Sequence, residues 1–541
     1  MFNENFNKKI KLFFLSDLGI FIMLSLVVFI ANFLYFKNFG IYGDDWDAGI
    51  YLRFNGLREG VHYWWSVWAG EINNFRPIAV ILPIVWFYFF KFFGLPGVHF
   101  SIFLIHATAA FLIYKYFSGY AEKYIAFLGA LFFALYPTNN AYLWQVATTY
   151  VLSLCFVLLS VLSYQKKYKF LAAFLFLFSV LVNEATAMLF VLALIPKHTV
   201  SRAEFIKQFK EFAYFFIPIL ALYIAVRVGF EHTGLIVGGR TKGLLNNFKF
   251  SVYLFQFIQA FAVVFFTSWG LAGWKIIQNF KDLNWLTWLV GIAIFAFIRA
   301  SFETELFKDK NQESLRANYL YFLIGGFVLI FAGRYYGFYF QPSINTLNLD
   351  SRYYYAASLA GPVFLVGLLI YAKANFSKFW PNIVTLVAII LGILGIFKIS
   401  VQRDYANAWL ASKEFWRQEI KAFPALRENE LVVVYVPKRK LGQLVGVGEA
   451  IGDLRKLFPF VYGPTVNGVT TFLTQSIDQT PESFCINSHP FWINRCFQKN
   501  NVEVLTFEDN KLVLRKKANP SPDSRSFEQN LPEALKNIIL K

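Results

Sequence analysis

The stretch from Phe14 to Phe36 is predominantly apolar from end to end. About 20 apolar residues are what a helix needs to cross a bilayer. Ile125–Leu135, Tyr142–Ser163 and Val384–Phe397, with their flanks, repeat the pattern. Composition agrees, since only 16% of the 541 residues are charged, against about 25% in an ordinary soluble domain. Hydrophobic residues make up 57%, and the mean hydropathy is +0.47. One soluble core of this length cannot hide 66 phenylalanines, whereas lipid leaves nothing to hide. The chain reads as an all-α polytopic membrane protein with about 10 to 13 transmembrane helices. A soluble enzyme is excluded.

The net charge of +18 belongs to the same picture, because membrane proteins gather Lys and Arg in cytoplasmic loops and beside lipid phosphates. No nucleic-acid motif accompanies it. The first apolar run follows Lys8, Lys9 and Lys11. It is too long for the core of a signal peptide, and no small-residue cleavage site follows it. It reads as a retained helix with a cytoplasmic N-terminus.

Positive-inside counting orders the N-terminal half. Gly40 to Phe75 lies outside, Pro77 to Phe93 is a half-buried helix on that side, and Val98–Phe117 returns. The next crossings are Ile125–Leu135, the helix through Val161, Phe170–Val182 and Ala185–Ile195. This places Asp44, Tyr136–Trp144 and Asn183–Glu184 on one side of the membrane. Three further apolar runs, near 250–270, 285–299 and 317–333, leave the parity open, so one of them is expected to be re-entrant or interfacial.

Residues 1–400 therefore read as the membrane domain. From Gln402 the composition turns soluble. "ELVVVYVP", Glu430–Pro437, reads as a buried strand, and "VEVLTFEDNKLVLRK", Val502–Lys516, as a hairpin about an Asp-Asn turn. Residues 401–517 are expected to form a small extracytoplasmic mixed α/β domain, and 518–541 a loose polar tail. Cys485 and Cys496 are eleven residues apart, and an extracytoplasmic location permits a disulfide between them. Cys155 lies in an apolar helix.

Chemistry concentrates in "YGDDWDAG", Tyr42 to Gly49. Asp44, Asp45 and Asp47 are three carboxylates just beyond the first helix, beside an anionic lipid surface that disfavours them. Such a group can act as a general base or hold a divalent ion such as Mg or Mn. It can also be a solvated loop start. Arg76 and Arg352 flank apolar helices, where a guanidinium can meet a phosphate through two donors or snorkel to lipid headgroups. Arg240 and Arg334 are weaker candidates of the same kind. Glu184 sits between two apolar runs, and an intramembrane acid points to function. His106, mid-helix, reads as a packing residue. The sequence contains no Gly-rich phosphate loop, paired CxxC or HExxH motif, and no repeat of 20 to 50 residues.

The order of several segments is similar to that of the GT-C superfamily of membrane glycosyltransferases, closest to the bacterial polytopic transferases and the transmembrane-and-TPR protein O-mannosyltransferases. The segments are the acidic pair, "FRPIAVILPIVWFYFFKFFGLPGVHFSIFLIHATAAFLIYKYF" from Phe75 to Phe117, "GALFFALYPTNNAYLWQVATTYVLSLCF" from Gly129 to Phe156, "LVNEATAMLFVLALIP" from Leu181 to Pro196 and "LDSRYYYAASLAGPVFLVGLL" from Leu349 to Leu369. Within them, the family's two histidines seven residues apart match His99 and His106. The resemblance covers about residues 12–400. It departs at Tyr136-Pro137, where the family has His-Pro, and at Asn139 and Asn140, where it has an acid nearby. It departs again at Asn183-Glu184 for Lys-Glu, at Asp350-Ser351-Arg352-Tyr353 for Glu-Arg-Tyr, and at Ile102 for the Asn between the two histidines. No TPR array follows.

The resemblance implies a sugar linked to polyprenyl phosphate as donor, an extracytoplasmic protein or glycan as acceptor, and transfer with inversion. It implies Asp45, with Asp44 beside it, as base or metal contact. Arg352 and Tyr353 then stand at the donor phosphate, and Glu184 takes the place of the family's glutamate. A non-catalytic protein of the same fold, binding polyprenyl phosphate or serving as an assembly subunit, is the competing expectation. The topology has a direct check: a reporter active only in the cytoplasm, fused after Arg515, should stay silent.

Overall fold

The computed structural model describes residues 16–42, 45, 56–65, 76–196, 201–232, 250–278, 280–281, 284–303, 319–333, 349–426, 430–435, 467–470, 477–479, 483–486, 495–498, 501–508, 511–516 and 525–526. Asp44, Asp47, Arg240, Arg334 and all of the tail after Ala518 except 525–526 lie outside these described residues.

Apolar sequence becomes helix here because a backbone in lipid must satisfy its own hydrogen bonds. The helices run in order as α1 (Asp17–Phe33), α2 (Leu57–Trp65), α3 (Ile81–Phe117), α4 (Lys123–Leu135), α5 (Thr148–Gln165), α6 (Lys169–Val182) and α7 (Glu184–Ala187). They continue as α8 (Arg202–His232), α9 (Phe250–Ala262), α10 (Ser268–Gln278), α11 (Trp285–Glu303), α12 (Tyr319–Gly333), α13 (Tyr355–Ser358), α14 (Ala360–Asn375) and α15 (Trp380–Ala422). Among the described residues eight helical stretches are long and apolar enough to cross a membrane. This agrees with an all-α polytopic protein whose environment is a lipid bilayer.

The sequence reading of 10 to 13 helices counted shorter pieces as crossings. Helix α4 has 13 residues and α6 has 14, so each is about 20 Å long, against a hydrocarbon core of about 30 Å. Each has a local stop. Helix α4 ends at Tyr136, whose backbone is extended before Pro137. Helix α6 ends at Asn183, which is extended and turns its side chain to accept from the Ala185 amide, starting α7. The expected crossing 185–195 is a turn of α-helix followed by the 3-10 helix Met188–Leu194.

The break expected near residue 94 is present inside α3, where Gly94 adopts φ 66 and ψ −162. That region of backbone space is essentially reserved for glycine, and Pro96 follows it. Elsewhere small polar residues join the helices. Ser153 on α5 donates to the carbonyls of Ser179 and Asn183, at 3.0 and 2.9 Å, and Ser160 donates to Ala172 O at 2.7 Å. Bonds of this kind hold helices together in lipid, where burial of apolar surface gives little drive. A π-helical turn, Val263–Thr267, lies between α9 and α10. Tyr136 donates its hydroxyl to Val264 O within that turn at 2.7 Å.

The chain divides into two compact units, one of residues 1–36, 56–89 and 97–402, the other of 37–55, 90–96 and 403–541. In the second unit β2 (Leu431–Tyr435) pairs in parallel with β3 (Asn467–Thr470) and β7 (Val502–Glu508). β8 (Lys511–Lys516) runs antiparallel to β7, giving the order β3-β2-β7-β8. Leu431 to Val434 are all buried, which accounts for an unbroken apolar strand rather than an alternating one. Phe415, in the C-terminal part of α15, packs edge-on against Phe507 of β7, with ring centroids 5.2 Å apart. In a separate three-stranded sheet Cys485 is the register partner of Cys496. Cys496 is disulfide-bonded, while Cys155 is free and buried.

The segment before Asp45 also belongs to this unit. Tyr42 donates its hydroxyl to Tyr405 O at 2.8 Å and stacks edge-on against the Tyr405 ring at 5.2 Å. Gly40 meets Trp409 so closely that a Cβ there would fall 2.1 Å from the indole. Gly40→Ala should therefore displace Trp409 and cost about 1–3 kcal/mol, as overpacking does. Thermal unfolding of the detergent-solubilised protein should show a lowered midpoint.

Candidate functional site: a buried arginine cluster

Glu184 opens α7 and is almost wholly enclosed in the first unit. Its two carboxylate oxygens are taken by two different guanidiniums. Arg76 donates Nε to Oε2 at 2.9 Å, and Arg227 donates Nη1 to Oε1 at 3.0 Å. Arg76 immediately precedes Pro77 and the 3-10 turn Pro77–Val80. Arg227 sits in α8, and its Nη1 also donates to the Tyr223 hydroxyl, 3.1 Å away and one turn earlier. All four of these residues are buried.

A third guanidinium belongs to the same neighbourhood. Tyr150, buried near the start of α5, is within electrostatic reach of Arg76, Arg352, Tyr353 and Glu184. Arg352 and Tyr353 lie on the 3-10 turn Leu349–Tyr354. Arg352 donates Nη2 to the Tyr353 hydroxyl at 2.9 Å, and its guanidinium lies over the Tyr353 ring at 4.8 Å from the centroid. Tyr355 follows, with its ring 6.5 Å from that of Tyr150. Three arginines and one glutamate are thus gathered among the phenols of Tyr150, Tyr223 and Tyr353. Planar, delocalised and permanently charged groups of this kind suit phosphate recognition.

Of the residues singled out from sequence, the structure brings Arg76, Glu184, Arg352 and Tyr353 together. Arg227 was missed, although a charged residue inside an apolar helix is itself a signal of function. Asp45 is placed in the other unit, 1% exposed, with its amide donating to Tyr42 O at 2.8 Å. Burial, with Asp45 and Asp404 adding to it, pushes the Tyr42 hydroxyl well above its usual pKa, so Tyr42 stays protonated as a donor. Asp44 and Asp47 lie outside the described residues, and among the described residues no three His, Cys, Asp or Glu side chains gather as a metal site. His106 packs between Phe33 and Tyr142, with ring centroids 5.9 and 6.0 Å away. Tyr136, where the resemblance has histidine, spends its hydroxyl on a backbone carbonyl.

Compared with protein-family models and with curated proteins, the sequence matches none.

Removing the shared carboxylate should be costly. Glu184→Ala strands Arg76 and Arg227 without their counter-charge, and breaking a buried ion pair in this way typically costs about 3–5 kcal/mol. The check is the thermal unfolding midpoint of the purified variant, which should fall well below that of the wild type.

Proposed function

We propose that the chain is a GT-C-type membrane glycosyltransferase. It moves a sugar from a polyprenyl-phosphate donor to an extracytoplasmic protein or glycan acceptor. The observation that supports this most is the cluster of Arg76, Arg227 and Arg352 about Glu184, the first two buried and Arg352 half-buried. Guanidiniums gathered in this way suit a phosphate. A sugar phosphodiester carries one negative charge. When its bond to the anomeric carbon breaks, the electrons stay on the phosphate oxygen. The monoester then approaches −2 near neutral pH, its second pKa being about 6. A site rich in guanidiniums therefore binds the departing phosphate better than the intact donor, and that difference lowers the barrier.

In this reading Arg352 and Arg76 meet the phosphate, Tyr353 orients Arg352, and Glu184 holds Arg76 and Arg227 in place. Asp45 is assigned the role of general base, taking the proton of the acceptor hydroxyl as that oxygen bonds the anomeric carbon with inversion. Asp44 and Asp47 beside it have the chemistry to hold a divalent ion, Mg or Mn, which would supply charge neutralisation at the acidic pair. No step requires it. The reading places the N-terminus in the cytoplasm of a plasma-membrane protein and the chain after Gln402 outside, as a small α/β domain.

A second reading, a non-catalytic protein of this fold that only binds polyprenyl phosphate, draws on Asn139 and Asn140, which stand where the resemblance carries an acid. Substitutions separate the two. Arg352→Lys keeps the charge but loses the planar fork. It should raise the KM for the lipid donor by about tenfold or more, the worth of one charge-assisted hydrogen bond. Asp45→Asn should lower transfer by at least about 10²-fold while leaving binding of polyprenyl phosphate unchanged. Wild-type transfer in purified Asp45→Asn would leave only the binding reading standing.

A further inference from the structure

A further buried basic residue lies in the first unit, and among the described residues no acid pairs with it. Lys398, on α15, is fully enclosed. Its ammonium donates to Asn139 O and to Asn140 Oδ1, the latter at 2.9 Å. The orientation of Asn140 is fixed independently, because its Nδ2 donates to Pro137 O at 2.9 Å. Both acceptors are neutral. Among the described residues Lys398 makes no ion pair, in contrast to Arg76 and Arg227 on Glu184.

The remaining side of the ammonium faces aromatic and donor groups. Nζ lies 5.3 Å from the centroid of Tyr142. The Tyr142 ring is in turn 6.0 Å from the His106 ring, and Phe33 closes over both, at 5.4 and 5.9 Å. The Tyr142 hydroxyl and His106 Nε2 are buried and make no hydrogen bond among the described residues. Lys398 is close enough to His106 to act on it electrostatically. One buried lysine and two buried groups without a hydrogen bond among the described residues thus lie close together in the first unit. An isolated charge in such a place costs several kcal/mol, and each unused buried donor adds to that cost.

We infer that Lys398, Tyr142 and His106 form a buried site for a small monovalent anion, a halide being the simplest occupant. Lys398 supplies the charge, and the Tyr142 hydroxyl and the His106 ring N–H supply the donors. Size restricts the class, since none of these residues is more than 4% exposed. So enclosed a place suits a monatomic ion better than a phosphate or a carboxylate-bearing molecule. Thr138 Oγ1 and Asn139 Oδ1 of the same loop are also buried without a hydrogen bond among the described residues. The site is separate in its residues from the Glu184 cluster and does not depend on the transferase reading.

The test uses the full chain in lipid nanodiscs, with thermal unfolding followed in sodium bromide, sodium chloride and sodium gluconate at matched ionic strength and pH. The expected result is a midpoint that rises saturably with halide by several degrees over gluconate, as for a ligand bound only to the folded state. Lys398→Met should abolish the halide response and Tyr142→Phe should weaken it. Arg352→Ala should retain it, which separates this site from the arginine cluster. Equal wild-type midpoints in halide and gluconate overturn the inference, and so does a response lost in Arg352→Ala. Should Lys398→Met not fold, an unchanged response in Tyr142→Phe decides against the site.

Discussion

The carboxylate of Glu184 is the point at which four separate stretches of chain are held. It receives Arg76 from the turn before α3 and Arg227 from the middle of α8. Its own position is set by Asn183, whose carbonyl accepts from Ser153 of α5 and whose amide donates to Thr149 at 3.3 Å. A hydrophobic substitute of the same volume would often serve stability as well as a buried ion pair does. What the ion set adds is direction. Two guanidiniums anchored through one carboxylate have few orientations left, so their remaining N–H groups are fixed in space before any ligand arrives. Preorganised charge of that kind is what an anion site requires.

The two regions singled out by sequence are built by different physics. The arginine cluster is electrostatic, and its geometry follows from charge pairing among residues far apart in the chain. The segment leading to Asp45 is fixed by packing and backbone bonding instead. Tyr42 joins Gly40 N at 3.0 Å and Tyr405 O at 2.8 Å through one hydroxyl, and its ring leans on Tyr405 and Trp409. The carboxyl of Asp45 therefore follows from a scaffold of aromatic residues on α15.

Much of the helical architecture was legible in the sequence because bilayer thickness and hydropathy are read on the same scale. The break at Gly94 was legible too, since Gly followed by Pro within two residues has few helical solutions. Helix length was not. Pro137 and Asn183 stop α4 and α6 at about 20 Å, and a hydropathy window runs straight over both. At the site, Arg76, Arg352 and Glu184 could be named because each borders an apolar run. Arg227 and Lys398 lie inside such runs, as "IAVRVGF" and "GIFKISV", and hydropathy averages them away. Their partners, Glu184 and Asn140, are 43 and 258 residues distant, a pairing no local pattern encodes.

The treatment of Arg227 and Lys398 gives a last distinction. Both are single cations in apolar helices, and both are almost completely buried. Arg227 shares a carboxylate with Arg76, and Arg352 lies nearby. Among the described residues Lys398 is met by amide oxygens and aromatic rings. Dipoles and ring quadrupoles soften a buried charge but do not cancel it. The two places differ in how the basic groups are presented. The first presents several forked groups and phenols, a surface for a polyatomic anion. The second presents a single amino group in a closed shell, the arrangement proposed above for a monatomic ion. The difference lies in the valence and shape of the donors, and it follows from which residues the fold sets around each cation.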